Sequence, residues 1–125
     1  MKGIYAGAIA GVVGGIVGVI LGYIASIMRL FPIPDYVTAT VGMIVLTVIF
    51  GAIFGRLYSK FRDPIPGSGP MKGINFGLMI WLIKDIAAGA YLAVTMLRVA
   101  EAIALIFTGF FMWIAYGYVL ERLRK

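Results

Sequence analysis

The sequence predicts an all-α fold: a polytopic membrane protein of four transmembrane helices, arranged as two tandem helical hairpins. Three observations carry that prediction. The chain of 125 residues is 62% hydrophobic and 13% charged, with a mean hydropathy of +1.05, whereas soluble domains run to roughly 45–50% apolar and about 25% charged. Its apolar residues come in long runs and not at amphipathic spacing. Each run approaches the roughly 20 residues that a hydrocarbon core of about 30 Å requires. Four such spans make one transmembrane domain, residues 1–125, with no room for a second.

The first span is expected over 3–28. Lys2 ahead of an apolar run resembles a signal peptide, but the run exceeds the roughly 7–15 residues of a signal core. No small-x-small cleavage site follows either, so the helix is read as retained. Gly3, Gly7, Gly11 and Gly15 recur every four residues, as do Gly14, Gly18 and Gly22. Such stripes let another helix backbone approach closely. The approaching helix belongs either to the same chain or to a second copy of it.

Arg29–Asp35 reads as a turn, because Pro32 and Pro34 bar helix continuation and Asp35 suits an N-cap. The second span, 36–60, ends in another small-residue stripe, Gly51 and Gly55, running into basic residues. Residues 61–70 are rich in Pro and Gly and form the linker. Gly67-Ser-Gly-Pro-Met-Lys72 lacks the ending of a phosphate-binding loop and follows no strand, so it reads as a plain turn. The third span covers 71–97 and the fourth 99–120, separated at Arg98.

An internal repeat relates the two halves. Met1-Lys-Gly-Ile4 recurs as Met71-Lys-Gly-Ile74, and Phe50-Gly-Ala-Ile-Phe-Gly-Arg-Leu57 lies over Tyr116-Gly-Tyr-Val-Leu-Glu-Arg-Leu123. The copies are residues 1–60 and 71–125, and two spans per copy make the pseudo-repeat parallel. Basic residues Lys2, Arg56, Lys60, Arg62, Lys72, Arg122, Arg124 and Lys125 gather on one side, against Arg29 and Arg98 on the other. The positive-inside rule puts both termini in the cytoplasm of a cell (inner or plasma) membrane. The net charge of +6 is thus a topology signal at lipid headgroups, not a nucleic-acid surface.

Cys and His are both absent, which removes thiolate chemistry, imidazole bases and the usual zinc sites. Asp35, Asp63, Glu101 and Glu121 fall at helix ends and read as caps or interface charges. Tyr5, Tyr23, Tyr58, Tyr91 and Tyr118 are assigned to interface belts and packing. No catalytic residue, metal or cofactor is expected.

The exception to this bland inventory is Lys84-Asp85, a charged doublet in the middle of the third span. An ionised side chain at mid-helix costs roughly 2.5–3.5 kcal/mol on insertion scales. Aligning the repeats lays Gly14-Gly15 over the doublet, and Thr47 and Thr108 come to similar depth as hydrogen-bonding partners for either charge. Trp81, one turn away, would either stack on the Lys84 ammonium or simply pack. Helix neighbours point about 100° apart, so Lys84 and Asp85 are not expected to share a partner. The doublet is then a structural pair inside the bundle, an ion or proton site, or a contact with another subunit.

Gly73-Ile-Asn-Phe-Gly-Leu-Met-Ile-Trp-Leu82 and Phe50-Gly-Ala-Ile-Phe-Gly-Arg-Leu-Tyr58 resemble segments of small four-helix membrane proteins of bacteria and archaea, including the YagU-like type. The resemblance implies a prokaryotic four-helix membrane fold and no particular substrate. The function expected is that of a non-enzymatic membrane protein, self-associating or accessory, whose partners are the bilayer and a second copy or another membrane protein. The alternative is a small oligomeric transporter or channel whose pathway passes Lys84 and Asp85.

Overall fold

A computed structural model describes residues 2–28, 36–95 and 97–123, without the side chains of Lys2 and Tyr36. The expected turn at Arg29–Asp35, with Pro32, Pro34 and the cap Asp35, lies outside the described residues, as do Arg124 and Lys125. Four helices make up nearly all of the rest: α1 (Lys2–Ile27), α2 (Tyr36–Phe61), α3 (Pro70–Thr95) and α4 (Val99–Leu123). All four are long and apolar enough to cross a membrane, and no strand occurs among the described residues. The all-α, four-span fold class follows.

Helix ends differ from the expected bounds by a few residues, each for a local reason. α3 starts at Pro70, whose missing N–H is no loss at a first helical position. It ends at Thr95, ahead of Leu97, which takes a left-handed φ of 54°. α4 runs on to Leu123 because Glu121 is held inside the bundle.

α1 packs along α2 and α3 along α4, and the two hairpins join through α1 and α4. The glycine stripes explain the closeness. A Cβ built on Gly7 would meet the carbonyl oxygen of Gly51, and one on Gly51 would meet that of Gly7. Gly73 and Gly117 stand in the same reciprocal relation in the second hairpin. The two stripes of α1 serve different neighbours: Gly3, Gly7, Gly11 and Gly15 face α2, while Gly14 and Gly18 face Met112 and Tyr116 of α4. Gly22 faces open space.

Where α2 faces α3 and α4 the bundle is filled by aromatic side chains instead. Tyr58 meets Phe76 at 4.8 Å between ring centroids, and Phe54 meets Trp113 edge-on at 6.0 Å. The fully buried side chains Trp113, Tyr58, Tyr116 and Leu120 form the centre of this core. Tyr116 also donates to the Gly51 carbonyl across the bundle, at 2.6 Å.

The linker is strapped to the bundle end. Lys72 is buried and donates to the carbonyls of Asp63 (3.1 Å) and Ile65 (2.5 Å), and Asn75 donates to that of Pro66 (2.7 Å). Gly67 and Gly69 supply the positive φ angles of 105° and 57° that the turn requires. Lys72 therefore spends its charge on backbone oxygens and not on lipid. Lys72→Met is expected to cost about 2 kcal/mol, since the buried Ile65 carbonyl and the part-buried Asp63 carbonyl lose their charged donor. Thermal unfolding in detergent checks this, together with faster proteolytic cleavage of the linker.

Candidate functional site

Lys84 and Asp85 lie 14 and 15 residues into α3, about 21 Å from its start at 1.5 Å per residue and hence near mid-span. The two side chains diverge as helix neighbours must. Asp85 turns inward and is buried, while the Lys84 side chain is 42% exposed at the edge of the bundle. The long lysine chain still folds back far enough to bring Nζ to 3.8 Å from Asp85 Oδ1. The pair closes sideways on itself.

Room for Asp85 comes from Gly109 on α4. A Cβ built there would collide with the Asp85 carboxylate, so any other residue would displace the carboxylate from this position. The first hairpin solves the same depth in reverse, with Gly15 on α1 making room for the Thr47 hydroxyl on α2. Gly7 meets Gly51 in the first hairpin, and the expected repeat would place Gly77 against Gly117 in the second, but Gly117 faces the carbonyl of Gly73, one turn earlier. That slip of about 6 Å along the helix brings Gly109 opposite Asp85.

Trp113 is the second piece of the site. The Lys84 ammonium lies 5.7 Å from the Trp113 ring centroid and 5.5 Å from that of Phe50, within the range of a cation–π contact. The indole N–H of Trp113 approaches the Asp85 carboxylate without closing a hydrogen bond of normal geometry. Trp113 Nε1 and Asp85 Oδ2 are the two buried side-chain polar atoms without a partner among the described residues. Lys84 and Asp85 were not expected to share a partner, and among the described residues no hydrogen-bonded partner is shared between them, but both charges lie against the same indole. An indole is wide enough for one charge to reach its face and the other its edge.

The other expected members stand elsewhere. Thr47 donates to the Met43 and Ile44 carbonyls of its own helix, at 2.9 and 3.0 Å, and not to either charge. Thr108 lines a cavity of about 50 Å³ with Gly18, Gly22 and Met43, on the α1 side of α4. Trp81 donates to the Ile106 carbonyl at 2.8 Å and packs edge-on against Phe110, so its role is packing.

A second polar cluster lies at the linker end. Glu121 is 2% exposed and accepts from Arg62 Nε (3.0 Å) and Nη2 (3.1 Å), and from the Tyr58 hydroxyl. These bonds raise the already high pKa of the Arg62 guanidinium. Glu121 is therefore not a cap or interface charge, and Tyr58, which packs in the core, closes with it and Arg62 a buried network joining α2, the linker and α4. No periodicity in the sequence signals a partner 63 positions away. Gly109 and Trp113 were equally silent, since a glycine beside an aromatic pair looks like ordinary membrane packing.

Comparison with family models, curated proteins and solved structures returns no match to this chain. The chemistry of the site has to speak for its function.

Proposed function

We propose that the protein is a non-enzymatic multi-pass subunit of a prokaryotic cell membrane, acting through association with a second copy or another membrane protein at the open edge between α2 and α3. The exposure of Lys84 carries this reading. The Lys84 side chain is 42% exposed near mid-span, where a charged residue facing hydrocarbon costs up to roughly 2.5–3.5 kcal/mol, and a covering chain lowers that cost. The flanking residues Leu82 and Ile83 are exposed as well, and so is Phe50 across the edge. Arg56, Lys60, Arg62, Lys72 and Arg122 share one end of the hairpins, which supports a cytoplasmic location for both termini. The reciprocal glycine contacts in both hairpins support a duplicated unit built on glycine-zipper seams.

The chain has no cysteine, so a single engineered one reports cleanly. Ile83→Cys is expected to cross-link two copies in membranes on oxidation, whereas Ile9→Cys, exposed on α1, is not. A strictly monomeric particle in native mass spectrometry, with no cross-link at Ile83→Cys, rejects self-association.

A small oligomeric transporter or channel is the second reading, favoured by the unpartnered Asp85 Oδ2 beside the unpartnered Trp113 Nε1. Buried polar atoms left open in this way are fitted to a water, a proton or an ion. On that reading Asp85→Asn abolishes pH-dependent flux in proteoliposomes while the protein stays folded. Absence of flux in the unmodified protein rejects it.

A further inference from the structure

Between α1 and α2, toward the end of the bundle that carries the linker, lies a groove of about 330 Å³ lined by Ile4, Ala52, Ile53, Arg56, Leu57 and Lys60. Its size falls at the lower end of the roughly 300–1,000 Å³ typical of small-ligand pockets. The lining is apolar except for two cations one helical turn apart, a spacing that puts them on the same helix face. The other described cations of this end are occupied. Arg62 is paired with Glu121, Lys72 bonds the linker carbonyls, and Arg122 lies over the Tyr118 ring at 5.9 Å. Arg56 and Lys60 have no acid within ion-pair distance among the described residues.

An apolar trough flanked by two cations with no acid partner among the described residues matches a molecule with a fatty chain and an anionic head. A guanidinium holds phosphate oxygens in a fork, and a lysine one turn away adds a point charge. We propose that this groove binds one anionic phospholipid, its phosphate on Arg56 and Lys60 and an acyl chain along Ile4, Ile53 and Leu57. The site is independent of the Lys84–Asp85 pair and of what covers it.

The test uses the full chain in detergent with phosphatidylglycerol or phosphatidylcholine added, read by native mass spectrometry and by thermal unfolding. The expected result is one retained phosphatidylglycerol per chain and a larger upward shift in Tm than phosphatidylcholine produces. The double variant Arg56→Gln, Lys60→Gln should weaken phosphatidylglycerol binding about 30-fold, from the usual contribution of a basic side chain at an anionic headgroup, and leave the phosphatidylcholine response unchanged. Arg122→Gln, at the same bundle end but outside the groove, should keep the preference. Equal responses to the two lipids overturn the proposal, as does a loss of preference in Arg122→Gln as large as in the double variant. Reproduction of the shift by inorganic phosphate alone overturns the lipid as its source.

Discussion

Gly7→Val is expected to destabilise the protein by at least about 3 kcal/mol, the upper end of the overpacking range. A Cβ at Gly7 meets the carbonyl oxygen of Gly51 and the Cα of Gly55, which are backbone atoms that cannot swing aside. The hairpin must open along its length, and the Tyr116 bond to the Gly51 carbonyl is strained with it. Gly22→Ala, within the second of the sequence stripes, is expected to be neutral because nothing lies within 4 Å of its position. Heating each variant in detergent and measuring the monodisperse fraction checks both. Equal losses for the two would mean that the seam between α1 and α2 is not what the glycines serve.

Glu121→Ala is expected to cost about 2–3 kcal/mol, because the Tyr58 hydroxyl, 1% exposed, loses its acceptor in the core. Arg62 is partly exposed and can turn to water, so its loss adds little. Glu121→Gln keeps an acceptor for Tyr58 and should recover about half of that loss. Tyr58→Phe combined with Glu121→Ala should cost less than the two separately, since they remove one interaction. Additive losses would show that the two side chains act apart.

The spans were legible because length and apolarity settle membrane crossing before any packing is considered. The stripe Gly3–Gly15 was legible too, since a period of four marks one face of a helix, and so was Gly14-Gly18-Gly22 except for Gly22, which meets no neighbour. Their division between α2 and α4 was not, because period alone names a face and no neighbour. The doublet announced itself by its cost in hydrocarbon, but its surroundings did not. Thr47 and Thr108 share its depth, yet depth leaves the angle around the helix open. Thr47 satisfies itself on its own helix, and Thr108 turns to the α1 side.

By itself the sequence determined a four-span helical membrane protein and two charges needing an explanation near mid-span. Those are statements about local composition, which a chain carries wherever it folds. Only the tertiary structure decided that Asp85 fits because Gly109 is empty, that Trp113 meets both charges, and that Glu121 closes a buried network with Tyr58 and Arg62. Each depends on the register between helices. A slip of one turn replaces every facing residue without changing the composition of either helix.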